Sequence, residues 1–453
     1  MEDRVLSATE SICPVCLERI PAHRILRGED VFLQKTCSRH GLFETPIWRG
    51  EPSLLFWTSP RIPSYPKHPL TEVRNGCPWD CGLCPDHRQH TCTALLEVTC
   101  RCNLKCAFCF ADSHNSRMED PGISTIKTWY EQLLRIGGPY NIQLSGGEPT
   151  LRDDLPEIIA LGRSLGFSFI QVNTNGLRLA QEPSFVKDLA QAGLASVFLQ
   201  FDGVTDDVYQ KLRGRPLLKE KERAVELCAL HEIGVILVPT LVPGTNTHQI
   251  GSIIDFALHH MPAVRGVHFQ PVSYFGRFPT PPADRDRITI PEVIREIEKQ
   301  TAGKIKAGNF KPPGCENALC SFHGNFVQMP DGKLAAWTRH DTQSSCCKAG
   351  SAEKGAEKAR QFVAQFWTTP AKEAQTEKSQ NLLGEWEVFA RRTRTHSICI
   401  SGMAFQDAWN LDLERLRDCC IHVMHPDGRI IPFCAYNITS ANGETYYRKQ
   451  HLP

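Results

Sequence analysis

The run Leu95-Leu-Glu-Val-Thr-Cys-Arg-Cys102-Asn-Leu-Lys-Cys106-Ala-Phe-Cys109 decides how the rest of the chain is read. It opens as an apolar, β-branched strand over Leu95–Thr99 and passes into a loop with cysteines spaced by four and then three residues. Three thiolates at that spacing can wrap one corner of an iron–sulfur cubane and leave one iron without a protein ligand. An open iron is what a cluster needs in order to bind and act on a small molecule. Zinc, or three buried reduced cysteines, are the plainer readings; placement after a strand and the aromatic Phe108 argue against both. Cys102, Cys106 and Cys109 are therefore the candidate catalytic metal ligands.

Working outward, strand-like runs recur at Ile142–Leu144, Phe169–Asn173, Val197–Phe201, Val235–Leu241 and Gly266–Gln270. Helical periodicity separates them at Ile123–Ile136, Leu155–Leu165, Phe185–Ala192, Leu217–His231 and Ile250–His260. Six β-then-α units imply parallel strands joined by right-handed crossovers. The expected fold is α/β, a partial (β/α)6 barrel or an open twisted sheet, with its ligand site at the carboxyl ends of the strands. The spacing places this core at residues 93–311, after a metal-binding head of residues 1–92 and before a cysteine-rich tail of residues 312–453. In the tail, Val327–Leu334 and Val423–Ile430 each carry a Pro-Asp-Gly turn and read as hairpins. Ser351–Gln380 is polar and rich in Lys, Ala and Glu, a helical insertion or a partly disordered stretch.

Polar motifs follow successive strands. Ser145-Gly-Gly-Glu-Pro149 follows the second, Asn173-Thr-Asn-Gly176 ends the third, and Gln200-Phe-Asp-Gly203 ends the fourth. Asn246 follows the fifth, and Gln270-Pro271 ends the sixth. With the cysteine loop, these stretches resemble the radical SAM superfamily. The resemblance implies that S-adenosylmethionine (SAM) binds the open iron through its amino and carboxylate groups. One electron then cleaves the sulfonium to methionine and a 5′-deoxyadenosyl radical. It further implies cofactor contacts from Phe108, Ser145, Gly146, Gly147, Glu148, Asn173, Asn175, Gln200, Asp202, Asn246 and Gln270. For the residues from Asn173 onward, a loop-capping role is an equal alternative.

The remaining cysteines suggest further centres. Of 20 in the chain, eleven lie between Cys13 and Cys109, one at Cys228, and eight between Cys315 and Cys434. That is too many for a reduced compartment without metal and too uneven for a disulfide scaffold. Cys77, Cys81, Cys84 and Cys92 could ligate an auxiliary [4Fe–4S] cluster, with zinc as the alternative. Cys13, Cys16, Cys37 and His40 form a C-x2-C…C-x2-H arrangement suited to one zinc or iron ion. In the tail, Cys315, Cys320, Cys420 and Cys434 are the preferred set for one more cluster, among candidates that include Cys346, Cys347, Cys399 and Cys419.

Composition narrows the partners. With 51 basic and 50 acidic side chains, net charge +1, the chain has no global pull toward nucleic acid. Its longest apolar stretch, Ile233–Val242, is too short to span a bilayer, and Met1–Glu10 lacks a secretory apolar segment; a cytoplasmic protein is expected. Gln270-Pro-Val-Ser-Tyr-Phe-Gly-Arg277, Met403–Leu413 and the Cys77–His87 run give a narrower likeness. Together with the head motif they resemble the archaeal tetraether lipid synthase family, whose members were earlier assigned as pterin C-methylases. That resemblance implies hydrogen abstraction from an unactivated carbon and C–C bond formation on a lipid. It also implies a low-potential donor such as ferredoxin or flavodoxin, and allows peripheral membrane contact. Methylation of a pterin or other small heterocycle is the alternative. A non-catalytic iron–sulfur or zinc protein is a third reading, which leaves the Gly-Gly-Glu motif unexplained.

Overall fold

A computed structural model describes residues 3–113, 119–338, 349–370, 389 and 392–448. The chain begins with four antiparallel strands in sequential order: β1 (Arg4–Ile12), β2 (Arg19–Arg27), β3 (Asp30–Cys37) and β4 (Gly41–Arg49). Alternation drives the pairing, for in β2 Pro21 and His23 face out while Ala22 and Ile25 are buried. Trp48 of β4 is fully buried and packs on Trp57 at 5.8 Å between ring centres.

The six expected core strands form as β5 (Thr93–Thr99), β6 (Asn141–Gly146), β7 (Ile170–Thr174), β8 (Ser196–Gln200), β9 (Gly234–Val238) and β10 (Val264–Pro271). They lie side by side in that order and all are parallel. Every residue of β9 is buried, as a strand covered on both faces requires. The run expected as Val235–Leu241 is broken by Pro239, which has no N–H for the ladder; Thr240–Leu241 then pairs separately with β10.

The five expected helices are present at Ile123–Arg135, Leu155–Ser164, Pro183–Gln191, Leu218–Leu230 and Ile250–His259. In the first, Ile126, Trp129, Tyr130 and Leu133 are buried at helical spacing against the sheet. Two further crossover helices, Leu177–Gln181 and Asp206–Arg213, are too short to announce themselves by periodicity. Helix Ile290–Gln300 starts where the Glu292 carboxylate accepts from both the amide and hydroxyl of Thr289.

The tail does not stand apart from the core. Its strands β11 (Ser321–Gln328), β12 (Leu334–Ala336), β13 (Ser397–Met403), β14 (Ile421–Met424) and β15 (Ile430–Pro432) join the same 12-stranded sheet, in the order β12-β11-β13-β10-β9-β8-β7-β6-β5-β14-β15, with Thr240–Leu241 beside β10 as the twelfth. β13 runs parallel to β10 and β14 runs parallel to β5, so both open edges of the core are paired. Both Pro-Asp-Gly hairpins form, as β11–β12 and β14–β15.

Within the Ser351–Gln380 stretch, Ala352–Phe366 is a helix; residues 371–380 lie outside the described residues. This helix and the residues after it cross the amino ends of the core strands. Asn141 Nδ2 donates to the Arg360 carbonyl at 3.2 Å, and Arg265 Nε donates to that of Phe366 at 3.1 Å. A Cβ on Gly234 would collide with the Trp367 carbonyl. The segment is a floor beneath the barrel.

Candidate active site and cysteine centres

Between that floor and the loops at the carboxyl ends of the strands lies a cavity of about 600 Å³. Cys102, Cys106, Cys109 and Phe108 reach it from the loop after β5, and Ser145, Gly146, Gly147 and Glu148 from the end of β6. Asn173, Asn175, Gln200 and Gln270 line it from β7, β8 and β10. Asp202 and Asn246 do not. Asp202 accepts two hydrogen bonds at 2.7 Å from the Arg213 guanidinium, and Asn246 Nδ2 donates to the carbonyls of Asp202 and Thr240. Both side chains are saturated by neighbouring loops, as a loop-capping role would require.

The glycines act in a way the motif did not reveal. Gly146 has φ +119°, and a Cβ there would strike the Thr99 carbonyl; one on Gly147 would strike the Arg101 carbonyl. The close approach is to the backbone that carries Cys102, and it is fastened by Gly147 N–H donating to Thr99 O and Glu148 N–H to Arg101 O, both at 2.8 Å. The buried Glu148 carboxylate accepts from Thr150 Oγ1 at 2.6 Å, Thr174 Oγ1 at 2.7 Å and Asn175 N at 2.7 Å, tying the loops after β6 and β7 together. Asn173 Oδ1 is buried in this wall without a hydrogen-bond partner among the described residues. Such an acceptor is costly unless a ligand donor reaches it.

The cysteine loop is strapped from the far side by the Gln270–Arg277 run. Cys109 and Arg277 exchange backbone hydrogen bonds at 2.9 Å, and Arg277 Nε donates to the Cys106 carbonyl at 3.0 Å. Burial pushes the Cys102 thiol up to about 12 and raises Cys109. These thiols ionise near neutral pH only with a cation among them, and a metal cluster supplies one. Three ionisable donors on one cavity wall beside an unsatisfied acceptor fit the cluster and its ligand.

Two cations here escaped the sequence reading. Arg213 lines the cavity; burial opposes its charge, but Asp202 and the Cys106 thiol more than compensate and hold it protonated. Its signal lay in the Asp202-to-Arg213 spacing across a helix the periodicity missed. Lys221 is fully buried, donates to the Asn175 carbonyl at 2.5 Å, and is lowered by burial to about 8.

The other cysteines regroup. Cys13, Cys16, Cys37 and His40 bring their ligand atoms within 4.8 Å of one another, as expected for one tetrahedral ion. Cys13 Sγ and Cys37 Sγ lie 3.5 and 3.4 Å from His40 Nδ1. Cys77, Cys81 and Cys84 stay close, with Cys81 raised by its hydrogen bond to Cys77 and by burial, and Cys84 raised by burial and the nearby Cys77, but Cys92 leaves them. It gathers instead with Cys315 and Cys420, all within 4.8 Å. The β5–β14 pairing is the reason: Cys92 N–H donates to the Cys420 carbonyl at 2.8 Å. Of the expected tail set, Cys320 and Cys434 fall beside Cys419, within mutual electrostatic reach, and not with Cys315 and Cys420. Successive residues of an extended chain point opposite ways, which separates Cys419 from Cys420. Cys346 and Cys347 lie outside the described residues.

Residues 96–257 match the radical SAM superfamily, and residues 5–49 match the HMPTM N-terminal zinc ribbon domain. Fold, cysteine loop and cavity thus define a radical SAM enzyme, a class that implies a [4Fe–4S] cluster and SAM. A 7,8-dihydro-6-hydroxymethylpterin dimethyltransferase from Methanocaldococcus jannaschii is 36% identical over 95% of this chain and 93% of its own, and the chain belongs to that protein's family. A probable GTP 3′,8-cyclase from Methanothermobacter marburgensis is 29% identical over 38% of this chain and 55% of its own. The solved structure of Streptococcus suis SuiB is 17% identical, covering 47% of this chain and 46% of that one, with a TM-score of 0.39. Among the described residues no helix is long and apolar enough to cross a membrane.

Proposed function

We propose that this enzyme abstracts hydrogen from an unactivated C–H of a long apolar substrate and forms a C–C bond there. The observation that carries this reading is the cavity. It reaches from Cys102, Cys106 and Cys109 to Cys92, Cys315 and Cys420, and Phe169, Phe198, Phe322, Phe362, Trp367 and Phe405 stand in its walls. Such walls bind alkyl chain by burial and keep water from a carbon radical. Cys102, Cys106 and Cys109 would hold a cluster whose chemistry would be one-electron reductive cleavage of SAM. Asn173, Gln200 and Gln270 then orient SAM by hydrogen bonds, while Gly146, Gly147 and Glu148 hold the cysteine loop against them. Arg213 presents positive charge between Cys106 and Asp202. Cys13, Cys16, Cys37 and His40 would hold a zinc or iron ion outside the cavity lining, and the other cysteine groups would hold auxiliary iron.

A second reading is radical methylation of a pterin-like heterocycle. The name of the M. jannaschii relative favours it, as does a polar strip of Asn141, Gln143, Gln171 and Asn173 in the same cavity, with Gln143 Nε2 donating to Gln171 Oε1 at 2.8 Å. The two separate in one anaerobic experiment with SAM carrying a labelled methyl group. The reconstituted, reduced enzyme is offered an isoprenoid diether lipid or a reduced pterin. A lipid product two hydrogens lighter and without label supports coupling; a pterin gaining the labelled carbon supports methylation and overturns the first reading. Cys106→Ala is the control and should form no 5′-deoxyadenosine.

A further inference from the structure

We propose that the Glu316 carboxylate is the fourth ligand of an iron centre held by Cys92, Cys315 and Cys420. This rests on the reading of those cysteines as an auxiliary iron site and deepens it.

The three thiols come from three separate places: Cys92 leads into β5, Cys420 leads into β14, and Cys315 lies in the loop before β11. Cys92 Sγ and Cys420 Sγ stand 3.2 Å apart. Each backbone is fixed independently of any metal. Gln89 Nε2 donates to the Cys315 carbonyl, and the β5–β14 ladder fixes the other two. Among groups of described Cys, His, Asp and Glu residues, only this triad and the head quartet bring three or more ligand atoms within 4.8 Å. The head quartet has its fourth donor; this triad has three.

Glu316 stands beside the triad, its carboxylate near one thiol although not within 4.8 Å of all three. Its Oε2 lies 3.7 Å from Cys420 Sγ, while Oε1 accepts from the hydroxyl of Ser321 at the start of β11. The hydroxyl holds one oxygen and aims the other at the thiols. Glu316 follows Cys315 directly, and both line the cavity with Cys92 and Cys420. Arg61 hydrogen-bonds this residue at its main-chain carbonyl and acts on the carboxylate through its charge, but among the described residues no cation forms an ion pair with the carboxylate. A buried carboxylate beside three thiols is a mixed oxygen and sulfur donor set for a cation. Sulfur and oxygen donors together suit iron, and an oxygen ligand makes one iron site chemically distinct from sites held by sulfur alone.

The test uses the full chain with Cys102, Cys106 and Cys109 all replaced by Ala, which removes the radical cluster's contribution. The protein is reconstituted anaerobically with ⁵⁷Fe and sulfide and read by Mössbauer spectroscopy and iron content, without SAM or substrate. The expected parent spectrum contains a distinct oxygen-ligated iron subsite. Glu316→Ala loses that subsite, Glu316→Asp retains a shifted one, and Glu316→Cys converts it to an all-sulfur signature. Cys92→Ala should lower the iron content. Unchanged spectra in Glu316→Ala, or loss of the subsite in a Cys346→Ser/Cys347→Ser variant instead, would overturn the assignment of Glu316. Unchanged iron in Cys92→Ala would overturn the site itself. Thermal melts of the metal-free proteins separate misfolding from lost ligation. No product is measured, so a wrong substrate assignment leaves every outcome unaffected.

Discussion

Gly147 shows how much a single side chain can decide. The space a methyl would need is filled by the Arg101 carbonyl, so Gly147→Ala must push the cysteine loop away from the end of β6. We expect a loss of roughly 2–4 kcal/mol of stability and a fall in iron content, read by anaerobic melting and iron assay. The Gly-Gly-Glu motif was legible; that its glycines serve the backbone of Thr99 and Arg101 was not, because two loops meet there only after folding. Asp202 is a second case. Asp202→Asn leaves the buried Arg213 charge without its neutralising carboxylate and should cost about 3–5 kcal/mol in a urea titration. His268 gives a pH dependence. Buried beside Phe198 and Trp367, its pKa is lowered from 6.5 to about 4 by desolvation. Between those values the unfolded chain binds the proton and the folded one does not. Its contribution is therefore complete above pH 6.5 and lost as pH falls toward 4, about 2 kcal/mol by pH 5. A His268→Gln variant should show a correspondingly flatter stability profile between pH 7 and 5.

Among the elements, the six core strands and five of their helices were readable because each buries a face with its own period. The floor helix Ala352–Phe366 was readable only as a helix, not as a floor. Its Lys, Ala and Glu content speaks of exposure, whereas its place under the barrel follows from contacts made by Arg360, Phe366 and Trp367 to strands more than 90 residues away. The tail strands carry a similar lesson, since their hairpin turns are local signals and their partners are not. Because β13 and β14 cover both edges of the core, a fragment of residues 93–311 exposes two long strand edges. It should aggregate, or melt well below the full chain, in size-exclusion and thermal measurements.

Across the whole molecule, head and tail are fastened by buried charge. Arg24 donates to Asp412 at 2.6 and 2.8 Å, Thr9 Oγ1 donates to the same carboxylate at 2.8 Å, and Lys35 Nζ donates to the Ala408 carbonyl at 2.8 Å. Arg287 pairs with both oxygens of Asp407 at 3.0 Å, where each side chain is nearly inaccessible. The head ion should therefore be separable from the radical cluster in assembly. Cys37→Ser should lose one bound ion per chain in elemental analysis and lower the melting temperature, with iron at Cys102, Cys106 and Cys109 retained.

The sequence by itself determined the radical SAM class, the parallel βα units of the core and the two motifs that carry a fixed local spacing, the Cys102–Cys109 loop and the head knuckles. Those are short-range signals, set by period, turn chemistry and the reach of a few residues. Tertiary structure alone decided which distant cysteines meet. Cys92 joins Cys315 and Cys420 because β14 pairs with β5, and Cys320 and Cys434 sit apart from that group. It also decided that the tail completes the core sheet, that a helix closes the barrel from below, and that Asp202 and Asn246 brace loops instead of lining the cavity. Each of these follows from strand register and long-range packing, which no window of the chain contains.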